Sequence, residues 1–273
     1  MDFDEKGFLG TSIDDFSKSV QTQYSKFFEL SHDINELAHA VKFELKVHNR
    51  DRQEFLSATL FLRLLNGFEA VVILGIKGLL FEAKVVLRSV VESLFILKLL
   101  CEKEDFPLEY LGSSKVQSLK WMKIAHETQD PNFESLRKYA TPEVMETLRK
   151  EIEQHGLKKL DVEPIAKRAG LHHFYNTQYR LLSEEVHCVP ISLDPFLVQD
   201  ENGELSSFDW GPKHDDLDMV LFTNVQMLLV ALESITQLFE GDKKEKLEQI
   251  RQALKALTPL LGANKSHHEE DAS

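Results

Sequence analysis

The segment YRLLSEEVHCVP, residues 179–190, gathers groups that can hold a phosphate or move a proton. A helix turns by about 100° per residue, so residues seven apart differ by only about 20°. On that geometry Arg180 and His187 share a face, and Ser183 and Glu184 flank the line between them. His173 and Asn176 extend the stripe backwards, Phe174, Tyr175, Leu182 and Val186 form the opposite apolar side, and Tyr179 sits at the border. Histidine titrates near neutral pH and can act as acid or base. Arginine stabilises charge that builds on a phosphoryl group. Arg180 and His187 are therefore the catalytic candidates, with Tyr179, Ser183 and Glu184 in support. A solvated helix face is the competing reading, although such faces favour long flexible charges over this mixture.

A second segment carries matching chemistry. LRSVVESLF places Arg88 and Glu92 four residues apart, with Ser89 and Ser93 alongside, in a stretch otherwise too apolar to face water. Charges buried there must be paired. Arg88 and Glu92 are expected to neutralise each other and to approach Tyr179, Ser183 or His187. The same residues then admit two readings: support for a reaction centre, or a buried polar lock between two helices with no turnover.

The elements that must position these groups are helical. Only 12 glycines and 8 prolines occur in 273 residues, which favours long helices over a sandwich or barrel. Apolar periodicity predicts helices over 13–49 (one kinked helix, or two with a break at Ser31–Asp33), 51–76, 79–103, 171–187, 215–239 and 243–261. GIKGLL at 75–80 supplies the connection between the second and third of these. Residues 106–170, broken by Pro107, Pro131, Pro142 and Pro164, read as three or four shorter helices. The expected fold is all-α, a single multi-helix bundle with a peripheral layer of shorter helices. Residues 1–50 form an N-terminal helical arm, 51–261 the main bundle with 106–170 at its periphery, and 262–273 a disordered tail. Residues 189–214 read as one long loop, a length that often carries function.

VLRSVVESLFILKLL, followed about ninety residues later by FYNTQYRLLSEEVHCVP, resembles the bacterial and phage family known as domain of unknown function 5677. In that pattern an Arg-x-x-x-Glu helix precedes a Tyr-x-x-x-Ser-x-x-x-His helix that ends near a proline. Arg88 and Glu92 match the first part; Tyr179, Ser183, His187 and Pro190 match the second. The resemblance spans roughly 55–240 and implies a helical bundle without an assigned activity. The segment is more distantly similar to the HEPN ribonucleases, whose signature is Arg, four to six residues, then His. Arg180 and His187 satisfy that spacing, while Leu181 stands where a polar residue usually follows the arginine. This likeness implies metal-independent RNA cleavage in a toxin or defence role. The histidine would move the proton of the ribose 2′-OH or of the leaving oxygen, the arginine would steady the phosphoryl charge, and the 2′-OH would select RNA.

Other chemistries find less in the sequence. ELAH at 36–39 and EEVH at 184–187 are Glu-x-x-His pairs of the kind that bind metals in di-iron bundles, with Glu69 and Glu92 as further ligands. Their order along the chain differs from that pattern, and a metal-binding bundle ranks behind both a ribonuclease and a non-catalytic interaction or regulatory protein. No metal site and no cofactor is expected. A net charge of −13 opposes tight non-specific DNA binding, leaving RNA and a second copy of the chain as candidate partners. Charged residues interrupt the apolar stretch 55–100, so no membrane partner is expected. Two cysteines and an acidic start without a signal-peptide core point to a cytoplasmic protein.

Overall fold

The computed structural model describes residues 2–48, 50–128, 130–187 and 190–262. The fold is all-α with one small hairpin. In chain order the helices are α1 (Asp2–Lys6), α2 (Ile13–Gln23), α3 (Ser25–Glu44), α4 (Arg52–Ile76), α5 (Leu80–Glu102), α6 (Phe106–Glu127), α7 (Glu134–Tyr139), α8 (Pro142–Gln154), α9 (Val162–Arg168), α10 (His172–Phe174), α11 (Arg180–Val186), α12 (Leu217–Leu238) and α13 (Lys244–Leu257). A π turn, Tyr175–Tyr179, joins α10 to α11.

The core is built around α5. Its Leu87, Val91, Leu94, Phe95, Leu97 and Leu99 are among the most deeply buried residues, facing α4 on one side and α12 on another. An apolar helix surrounded by helices removes apolar surface from water on nearly all sides, which is the dominant favourable contribution to folding. At Gly67 an added Cβ would lie 2.8 Å from the Val90 side chain, so α4 and α5 pack closely there. Gly78 turns the chain between them at φ +72°, and a Cβ would meet Pro212 and Phe16 at 2.5 and 2.6 Å. Only glycine fits both that backbone and that space.

Two expectations need correction. The break in 13–49 falls at Tyr24, between α2 and α3, rather than at Ser31–Asp33. Ser31 is buried and its hydroxyl donates back to the Phe27 carbonyl at 2.8 Å, so it lies within a helix turn instead of capping one. The stretch 189–214 is also not a plain loop. It holds a 3₁₀ turn, Pro190–Phe196, and an antiparallel hairpin, β1 (Leu197–Gln199) with β2 (Leu205–Phe208). At the hairpin tip the Asp200 carboxylate accepts from the Asn202 and Glu204 N–H groups, both at 2.9 Å, and Gly203 adopts φ +78°.

Elsewhere the local signals operate as read. Thr141 accepts from Val144 N–H at the start of α8, with Pro142 in its first turn. The helix α3 packs on α12 and α13. The expected disordered tail falls, from residue 263 onward, outside the described residues. Arg52–Ile76 and Leu217–Leu238 are long and apolar enough, by length and composition, to cross a membrane. The two differ in burial, with 72% of the apolar window of α12 inside the bundle and only 39% of that of α4.

Candidate functional site

Arg88, in the middle of α5, reaches the helical segment 172–186 and holds it in three ways. Its Nη2 donates to the Tyr179 hydroxyl at 2.6 Å and its Nε donates to the Ser183 hydroxyl at 3.0 Å. The guanidinium carbon also lies 4.6 Å from the centre of the Tyr179 ring, a cation–π distance. On α5 itself Nη1 is 3.6 Å from Glu92 Oε2. Ser183 completes its own bonding by donating to the Tyr179 carbonyl at 2.7 Å. Arg88, Glu92, Tyr179 and Ser183 therefore form one cluster, a clamp between α5 and the segment leading into α11.

The clamp sits at the edge of the core. The Arg88 side chain is 22% exposed and that of Glu92 39%, whereas Tyr179 is 8% exposed and packs on Phe95, with ring centroids 6.2 Å apart. Burial first, and the Glu92 carboxylate next, hold the Tyr179 phenol above its usual value of about 10, against the opposing pull of Arg88. The folded chain then keeps a proton that the unfolded chain releases above pH ~10, so this group's stabilisation is complete below that pH and is lost as pH rises through the folded value. Tyr179→Phe should flatten the alkaline fall in urea-unfolding midpoint. An unchanged alkaline slope would show that the phenol is not the titrating group.

An aromatic column extends the clamp. Tyr175 stacks on Tyr179 at 5.2 Å, His172 stacks on Tyr175 at 5.8 Å, and His172 Nε2 is 3.4 Å from Glu163 of α9. His172 and Tyr175 were not singled out from the sequence as part of the site. Their spacing to Tyr179, three then four residues, is a helical signal that could have shown it. The π turn between Tyr175 and Tyr179 bonds five residues apart, which changes the rotational phase between the residues before it and those after it.

Arg180, Glu184 and His187 are placed differently. All three are exposed, on the side of the segment away from the clamped Tyr179 and the buried Leu182. His187 caps α11, its N–H donating to the Ser183 carbonyl at 3.2 Å. The stripe read from the sequence therefore divides: Ser183 turns inward with Tyr179, while Arg180, Glu184 and His187 remain outside. On a third flank a cavity of about 440 Å³ opens towards α5 and α12, walled by Leu87, Leu181, Leu182, Met219 and Val220, with Glu184 at its edge.

The other polar motifs lead elsewhere. His39 Nε2 is 2.7 Å from Glu69, and the Lys42 ammonium lies 2.8 Å from His39 Nδ1, so both ring nitrogens have partners. Among the described residues no group of three or more His, Cys, Asp or Glu is placed to hold a metal ion. Burial pushes the Cys101 thiol up to about 12, which keeps it protonated and unreactive. Cys188 lies outside the described residues.

No curated protein and no solved structure matches the chain. One family model does match, over residues 54–205. That span is more than half of the chain and contains both halves of the clamp, Arg88 and Glu92 on α5 and Tyr179 and Ser183 on the later segment, together with the exposed His187. The chain belongs to the family of unknown function DUF5677.

Proposed function

We propose that this protein cleaves RNA without a metal ion, with His187 and Arg180 as catalytic residues on the exposed face of α11 and the Arg88 clamp as the frame that holds that face. The division of the segment carries this reading: Tyr179 and Ser183 are gripped from α5, while Arg180, Glu184 and His187 stay open to solvent. In the proposed reaction the ribose 2′-oxygen bonds to the adjacent phosphorus and the bond from phosphorus to the 5′-oxygen breaks. The products are a 2′,3′-cyclic phosphate and a free 5′-hydroxyl. His187 moves one of the two protons, water moves the other, and Arg180 stabilises the charge on the phosphoryl oxygens. The cavity beside Glu184 is of a size that admits an unpaired base.

The purified chain is to be incubated with a labelled single-stranded RNA, and with its all-DNA counterpart, in the presence of a chelator. Cleavage of the RNA alone, leaving cyclic-phosphate ends, is the expected result. An intact RNA would reject the reading. The second reading, a non-catalytic interaction or regulatory protein, is favoured by a specific observation: Arg88 already has Tyr179, Ser183 and Glu92 as partners and needs no substrate to satisfy it.

A further inference from the structure

The outer face of α4 has the pattern of a helix that expects another helix. Phe55, Thr59, Leu62, Asn66, Glu69 and Ile73 follow one another at intervals of four, three, four, three and four residues, the spacing of a coiled-coil seam. Three of them are large apolar residues left in water: Phe55 is 56% exposed, Leu62 40% and Ile73 60%. Thr59, Asn66 and the neighbouring Arg63 are exposed as well. The face opposite this seam, with Phe61, Leu64, Phe68 and Val71, is fully committed to the core. Three exposed apolar residues on one face, spread along a 25-residue helix with Thr59, Asn66 and Glu69 between them, mark a contact surface.

We infer that α4 is the interface of a two-fold homodimer, in which it packs antiparallel against α4 of a second copy. The charges on the stripe choose the occupant and its direction. An antiparallel seam with its axis near Gly67 and Phe68 brings Leu62 against Ile73 of the partner subunit, and Asn66 against Glu69 of the partner subunit. Each contact occurs twice, as a two-fold axis requires. Arg63, one turn from Asn66 along the edge, then reaches that same partner carboxylate, which is partly exposed and whose Oε1 already meets His39 of its own chain at 2.7 Å. The apolar layers thus lie outside a polar centre whose donors and acceptors match. A parallel pair would instead set Glu69 against Glu69 of the partner subunit, and like charges in a seam oppose association. The stripe is complementary to itself in one orientation only. Nothing in this interface depends on the RNA reading.

Light scattering on the native chain should give twice its 31.4 kDa mass. Leu62→Glu, a change at an exposed position, should give a folded monomer at micromolar concentration. Arg63→Glu should weaken the dimer, and adding Glu69→Arg should restore it in part, because Glu69 also meets His39 of its own chain. With Cys101 and Cys188 changed to serine, Leu62→Cys combined with Ile73→Cys should form a disulfide-linked dimer, while either cysteine alone should not. A native monomer would overturn the inference. So would Ile73→Cys linking to itself, which a parallel pair would produce, or a monomer that binds neutral lipid vesicles and loses that binding with Leu62→Glu.

Discussion

Replacing His187 by alanine is expected to lower the proposed RNA cleavage by about 10²–10⁴-fold, the range that a positioned general acid or base contributes. The side chain is exposed at the end of α11, and among the described residues the contact that His187 makes is through its backbone N–H, which caps the Ser183 carbonyl. Alanine keeps that N–H. The substitution should therefore leave stability within about 0.5 kcal/mol, as surface changes usually do. Rate and stability are expected to separate at this residue, and single-turnover cleavage alongside thermal melting reads both. A variant as active as the native chain would remove His187 from the chemistry.

Arg88→Ala should act in the opposite way. It deletes the donor to the Tyr179 hydroxyl, the donor to Ser183 and the partner of Glu92, and leaves the phenol of a residue only 8% exposed without its cation. Hydrogen bonds to charged groups contribute about 1.5–3 kcal/mol each, and the partial exposure of this cluster reduces the sum. A loss of roughly 2–4 kcal/mol follows, a fall in Tm on the order of 5–10 °C for a chain of this size. Arg88→Lys should recover only part of it, because an ammonium cannot reproduce the planar fork that meets Tyr179 and Ser183 together. An Arg88→Ala protein that melts with the native one would mean that the clamp is incidental.

The core helices were legible in the sequence because each is long and apolar and ends at a clear signal. Asp51 caps α4 through Glu54 N–H, and Gly78 ends the connection to α5. The pairing of Arg88 and Glu92 followed from the cost of charge in so apolar a helix, and the approach to Tyr179 and Ser183 followed from the need for polar neighbours. The rotation of the site was harder to read. Ser183 is four residues from Tyr179 and three from Arg180, so on a regular helix it borders both faces, and periodicity alone does not say which of them it joins. The hairpin has one local signal: Asn202-Gly203 lies between LVQ and LSSF, and Asn-Gly between apolar runs favours a tight turn. Strands of three and four residues are too short for alternation to show.

On the proposed function, one short helical segment has a clamped face and a working face. This division is tested most directly by measuring RNA cleavage and Tm on Arg180→Ala and Tyr179→Phe together. Arg180→Ala is expected to lose cleavage and keep the native Tm, while Tyr179→Phe is expected to lower Tm and retain cleavage at temperatures where it is folded. If both variants cleave as well as the native chain, or if Arg180→Ala melts early while Tyr179→Phe does not, the two faces have been assigned wrongly.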